Sequence, residues 1–263
     1  MATLPTFFVP HGGGPCFFMD DPRAIWGRME HFLAGFIADL PERPRALLIV
    51  SGHWEEPRFT AHDGERPGLL YDYYGFPEHT YHLRWDAPGA PQVARRAAAL
   101  LAGAGIAAGT EHERGRDHGV FVPMKVAVPL ADIPTAQLSL HAGLDPAEHV
   151  AAGRALAPLR DEGVLIVGSG MSFHNLRERG DHVTSRADAF DAALTAAATD
   201  PDPVRRADRL AAWSSLPYAR FAHPREEHLI PLMAAAGAGG DDPAAHVFRD
   251  RVFGWTVSAF RFG

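Results

Sequence analysis

The chain has 263 residues, 46% of them hydrophobic and 22% charged, with a formal net charge of −7 at pH 7. These are the proportions of a globular protein long enough to bury roughly 70–75% of the surface its unfolded form exposes, and they exclude disorder, collagen-like sequence and coiled coil. The acidic balance leaves no footprint for nucleic acid or an anionic membrane, and no apolar run approaches the ~18 residues a membrane helix needs.

The elements are expected in this order. An apolar strand at Thr6–Val9 is followed by a second at Ala46–Ser51. From Glu55 to Pro91 the chain is rich in Pro, Gly and Tyr and reads as a long ordered loop, with a short antiparallel piece at Tyr81–Arg84. Loops of this length in a compact domain are usually functional. A helix over Pro91–Leu101 follows from Val93, Ala97, Leu100 and Leu101 at i, i+4, i+7, i+8, and Gly103 and Gly105 stop it. After the apolar stretch Val120–Val128 comes a strand at Ile133–Ser139. Asp145-Pro146 opens a helix running to about Arg160, with Asp as N-cap and Pro at N1. A strand at Val164–Gly168 precedes helices at Thr184–Ala198, Pro203–Trp213 and Pro224–Ala236, and Val252–Phe260 is the last strand. Four of the strands are apolar throughout, as strands buried on both faces are. The expected fold is a single α/β domain over residues 1–263, with a mostly parallel, mixed sheet covered by helices on both faces.

The one cysteine, Cys16, permits no internal disulfide and no cysteine-rich zinc site, and reads as buried packing. A reducing, cytoplasmic compartment is expected. The opening MATLPTFFVPHGGG lacks the charge and apolar run of a signal peptide.

Fifteen histidines are present, and their placement carries the functional reading. Three times an apolar strand runs into small residues and then a histidine: Pro10-His11-Gly12, Val50-Ser51-Gly52-His53 and Gly168-Ser169-Gly170 to His174. Ligands bind outside the carboxyl ends of strands in open α/β sheets, so these imidazoles are expected at one rim. His223 and His228 cannot both face one ion from a regular helix, being about 140° apart at ~100° per residue. His228 is the better ligand and His223 reads as an N-terminal cap. His118, ahead of the apolar stretch, is a further candidate. His62, His112, His149, His182 and His246 show no such pattern and are expected at the surface. Neutral imidazole suits Zn, Fe, Cu and Ni, and three ligands with open positions make a catalytic site. His11-Gly12-Gly13-Gly14 matches an oxyanion-hole string, but the G-x-S-x-G it requires is absent.

With these motifs in order, the chain resembles the class III extradiol ring-cleavage dioxygenases, in the subgroup like 4,5-DOPA extradiol dioxygenase. The resemblance runs through Pro10-His11-Gly12, Ser51-Gly52-His53-Trp54, Tyr71-Asp72-Tyr73-Tyr74-Gly75-Phe76-Pro77, Asp117-His118-Gly119, His174-Asn175-Leu176 and Glu227-His228. It implies one divalent metal held by His11, His53 and His228, with His174 as a further ligand or the acid/base. It places His118 and Tyr74 against a catechol-type substrate. Where the better-known branch has a glutamate, this chain offers His228 beside Glu226 and Glu227. An all-histidine set suits Zn(II), which isolated protein can carry, as well as the Fe(II) expected for oxygenase activity. The implied reaction inserts O₂ into the ring and gives a semialdehyde. A zinc-dependent hydrolase and a non-catalytic metal-binding protein are the alternatives on the same residues. Tyr71, Tyr73, Tyr74, Phe76 and Tyr81 would supply aromatic walls, and Arg84 or Arg225 a contact for a substrate carboxylate. The catechol and the oligomeric state are left open.

Overall fold

Alternate side chains of the central strands enter two different cores. Leu47, Ile49, Leu165 and Val167 pack into one, and Leu48, Val50, Val164 and Ile166 into the other. Burial on both faces is why these strands read as continuous apolar runs. The computed structural model describes residues 3–263. In chain order the elements are β1 (Thr6–Pro10), α1 (Gly27–Phe36), β2 (Ala46–Glu56), β3 (Phe59–His62), α2 (Pro91–Gly103), β4 (Ala108–Glu111), α3 (His118–Ala127), β5 (Thr135–His141), α4 (Pro146–Leu156), α5 (Pro158–Asp161), β6 (Val164–Gly170), α6 (Thr184–Ala198), α7 (Pro203–Ala211), α8 (Ala219–Ala222), α9 (Ile230–Gly239), β7 (Ala244–Val252) and β8 (Trp255–Phe262).

The strands form one sheet in the order β4-β3-β5-β2-β6-β1-β8-β7. Its centre is parallel: β5 with β2, β2 with β6, and β6 with β1. β8 and β7 add antiparallel strands beyond β1, and β3 pairs antiparallel with β5 on the other side. Helices flank the sheet, as expected for the α/β class. No helix among the described residues is long and apolar enough to cross a membrane.

Several boundaries differ from the expected ones, and prolines explain two of them. The helix expected over Pro224–Ala236 begins only at Ile230, with Pro231 in its first turn. Started at Pro224, it would carry Pro231 in its interior, where the ring clashes with the preceding turn. His228 therefore lies in a turn ahead of α9, and His223 ends α8 instead of capping a helix start. The helix from Asp145 breaks at Ala157 because Pro158 cannot continue it, giving α4 and α5. Asp145 does cap α4, accepting from the Ala147 and Glu148 amides.

Tyr81–Arg84 is not a strand. Glu78–His82 is a short 3₁₀ turn, started where the Thr80 amide and hydroxyl both bond the Pro77 carbonyl. The long loop also contains the end of β2 and all of β3. The strand expected over Val252–Phe260 is instead the last residue of β7, a turn at Phe253-Gly254 and most of β8, within a β7–β8 hairpin. His62 and His149 are buried at 4% and 0% exposure, not at the surface, and each ring has its Nδ1 on a backbone group. The His62 Nδ1 accepts from the Gly64 amide, and the His149 Nδ1 donates to the Asp145 carbonyl.

Two features position the rim. α3 carries Pro123 in its interior, which frees the Gly119 carbonyl from helical bonding, and the Ser169 hydroxyl donates to it. That bond ties α3 to the end of β6. The segment before α9 lies directly on β6. A Cβ on Gly170 would stand 2.1 Å from the His228 carbonyl oxygen, and one on Gly168 2.2 Å from that of Pro231. Only a glycine allows this approach.

Candidate metal centre and substrate cavity

β2, β6 and β1 are neighbours in the sheet and run parallel, so His11, His53 and His174 leave the same edge. His53 sits where the β2–β5 register shifts between Val50 and Glu55. Such a bulge re-aims side chains, and bulges concentrate at functional sites. His228 arrives on the turn before α9, and His118 is the first residue of α3.

The five rings meet. Ring centroids of His11, His53 and His228 form a triangle with sides of 4.9, 5.2 and 4.7 Å. His118 lies 3.9 Å from His53 and 5.3 Å from His11. His174 stacks on His228 at 3.4 Å. Ligand atoms of His11, His53 and His118 all lie within 4.8 Å of one another, as do those of His174, Glu227 and His228.

The Nδ1 atoms are engaged away from the centre. His11 Nδ1 donates to the Gly12 carbonyl at 3.0 Å, and His228 Nδ1 to Glu227 Oε1 at 2.8 Å. His118 Nδ1 donates to Asp72 Oδ1 at 2.8 Å, and His53 Nδ1 faces Asp72 Oδ2 at 3.4 Å. His174 Nδ1 lies 3.5 Å from Glu227 Oε1. Holding the proton on Nδ1 leaves each Nε2 lone pair free, the arrangement found behind metal-bound histidines.

These residues fit a divalent metal. His11 Nε2 is buried and has no hydrogen-bond partner among the described residues. The Nε2 atoms of His53 and His228 stand 3.1 Å apart. Two lone pairs facing at that distance repel unless a cation joins them, and nitrogens about 2.1 Å from one ion sit roughly 3.0–3.4 Å from each other. Burial, with the neighbouring imidazoles, holds the His11 and His53 rings well below their ordinary pKa and brings His228 down to about 4. The set is neutral at pH 7, as ligation requires. Burial pushes the Asp72 and Glu227 carboxyls up, but the hydrogen bonds from their histidines outweigh it and both stay below the usual range.

A cavity of about 510 Å³ opens over the cluster, lined by His11, His53, His118, His174 and His228 and walled by Trp26, Tyr73, Phe76, Phe253 and Trp255 among others. Volume and lining suit a small aromatic molecule. Of the aromatic residues expected in the wall, Tyr73 and Phe76 line it and Tyr74 stands at the mouth, 91% exposed. Tyr71 and Tyr81 pack behind Tyr73. Neither Arg84 nor Arg225 borders the cavity. Arg84 pairs with Asp86, and Arg225 grips Glu55 through two bonds of 2.6 Å. His223 is fully buried with Nε2 on the Ser172 carbonyl, away from the cluster. Cys16 is buried, and burial pushes its thiol up.

Asp72, Asp117 and Arg114 are parts of the site that the sequence did not mark. Asp72 also accepts the His118 amide at 2.9 Å and so caps α3. Asp117 is fully buried and takes hydrogen bonds from Ser51, Gln137 and Arg114, and Arg114 bonds the His53 carbonyl at 3.0 Å. An acidic residue inside the aromatic string Tyr71-Asp72-Tyr73 was the available signal.

Residues 6–258 match the family model described as the catalytic LigB subunit of aromatic ring-opening dioxygenase. The chain belongs to this family. A dioxygenase called tasH from Hapsidospora irregularis is 37% identical over 280 residues, covering 100% of this chain and 86% of that protein. A 4,5-DOPA dioxygenase extradiol from Beta vulgaris is 36% identical, covering 96% and 93%. Another so named from Escherichia coli K12 is 36% identical, covering 91% and 87%. A crystal structure of an uncharacterized Escherichia coli K12 protein superposes with a TM-score of 0.77 at 28% identity, over 98% of this chain and 99% of that one. This member of the family is thus an enzyme of the extradiol ring-cleaving dioxygenase type, acting on an aromatic ring with O₂.

Proposed function

We propose that the enzyme opens catechol-type rings with Fe(II) held by His11, His53 and His228, and that His174 is its acid/base. The observation that carries this reading is the convergence of five imidazoles, each with Nδ1 committed, on the floor of an aromatic-walled cavity. When bound, the metal supplies a site where a catechol and O₂ meet and exchange electron density.

The side chains supply binding and proton transfer. His174 faces the cavity with its outer side occupied by Glu227, so Nε2 can take a hydroxyl proton from the substrate and later return it. An ionised Glu227 beside Nδ1 stabilises the imidazolium formed in between. His118 is held by Asp72 with Nε2 as an acceptor, suited to the second hydroxyl. Tyr73 and Phe76 present flat apolar surface to the ring. Tyr74, at the mouth, would cover the substrate from outside. The composition, with a single buried thiol, supports a cytoplasmic setting.

Reconstitution with Fe(II) under nitrogen, followed by air and a panel of catechols, tests the proposal. O₂ uptake matched by a yellow semialdehyde is expected. Activity that needs zinc and proceeds without O₂ would instead establish hydrolysis.

A further inference from the structure

The cavity has one lining residue with a fixed positive charge, Arg179, and one with a fixed negative charge, Asp72. Asp72 is occupied by His118 and His53. Arg179 has no such partner among the described residues: its guanidinium lies over the rings of Phe253 and Trp255, 5.2 and 5.5 Å from their centroids. The adjacent Glu178 carboxylate turns instead to His182.

The backbone on either side of Arg179 is pinned. The Glu178 carbonyl accepts from Trp255 Nε1 at 2.5 Å, and the Gly180 amide donates to the Phe253 carbonyl at 2.7 Å. The shelf beneath it has a conformational cost. Phe253 sits at φ 53° in the β7–β8 turn, followed by Gly254 at φ 88°. Asn or Asp is the ordinary first residue of such a turn, and a bulky residue there is strained. Strain of this kind persists at ligand-binding sites. Phe253 also packs edge-on against Trp26 at 5.6 Å, which continues the wall.

We infer that Arg179 is a specificity-determining residue that receives a carboxylate substituent on the catechol. The inference rests on the dioxygenase reading and adds the residue that selects among catechols by charge. A planar guanidinium without a protein carboxylate among the described residues, seated against two aromatic rings, is available for bidentate contact with one. Neutral imidazoles and aromatic rings elsewhere in the cavity offer an anion nothing comparable.

The test is calorimetric titration of iron-loaded protein under nitrogen with protocatechuate (carboxylate-bearing), catechol (neutral) and dopamine (cationic), alongside O₂ uptake in air. Arg179→Met is expected to weaken protocatechuate binding about tenfold or more while changing catechol binding less than about twofold, and Arg179→Lys to restore part of the loss. Arg179→Glu is expected to shift preference toward dopamine. Phe253→Asn, which relieves the turn, is expected to lower the protocatechuate-to-catechol affinity ratio without loss of stability. Equal losses for protocatechuate and catechol, or none, with O₂ uptake intact, would overturn the role of Arg179 alone. Wild-type protein that neither binds nor opens any catechol would overturn the function beneath it.

Discussion

His53 and His228 are 175 positions apart in the chain, yet their Nε2 atoms lie 3.1 Å from each other. Neither residue has a positive φ, and the approach is held by β2 on one side and by the β6 glycines on the other. His53→Ala, His228→Ala and His11→Ala should each lower metal affinity by roughly a hundredfold or more while the circular dichroism spectrum is unchanged. Metal analysis after gel filtration checks this. A variant that keeps a full complement of ion would remove its histidine from the ligand set.

Asp72→Asn tests positioning. The substitution keeps the shape but removes the charge that orients His118 and faces His53. Affinity for the ion, or activity, should drop roughly 10–100-fold, as is usual when the partner of a ligating histidine is changed. Unchanged affinity and turnover would mean that the α3 cap is the only duty of Asp72.

His174→Gln separates binding from proton transfer. The ion should be retained and KM for a catechol little altered, with kcat down roughly 10²–10⁴-fold. If the variant loses its metal, His174 is a ligand first.

Acid lability should follow from His223. Burial lowers this ring to about 3, against 6.5 in an unfolded chain. Between those values the unfolded chain binds the extra proton, so stability is intact above about pH 6.5 and lost as pH falls toward 3. From this residue alone the loss at pH 5 is about 2 kcal/mol. His223→Gln should flatten the pH dependence of the urea midpoint in metal-free protein, whereas an unchanged slope would assign the lability to other groups.

The rim could be read from the sequence because its signal is local: an apolar strand, a small residue and a histidine are all within a few positions of one another. The same locality made the Asp145 cap legible. What escaped was long-range or ambiguous. That Asp72 serves His118 depends on how the tyrosine-rich loop folds back, and neither residue's neighbours announce it. β7 alternates half-buried and exposed residues at the sheet edge, with His246, Arg249 and Asp250 among them, so its apolar signal is weak. α1 carries Gly27 and Gly35, poor helix formers that mask Met29, Leu33 and Phe36 on its buried side. The expected contact of Arg84 or Arg225 failed for a related reason: charge type is visible in a sequence, but the carboxylate already holding it is not.

The bare backbone at Gly168 and Gly170 sets how evolution or engineering can alter this enzyme. A single methyl there would lift the turn bearing His228 off its seat and open the bite of the chelate, whatever the substrate. The cavity-lining side chains of Tyr74 and Leu176, 91% and 54% exposed, have no such constraint. New substrates should therefore be reached by mutating those two positions, with β6 left as it is.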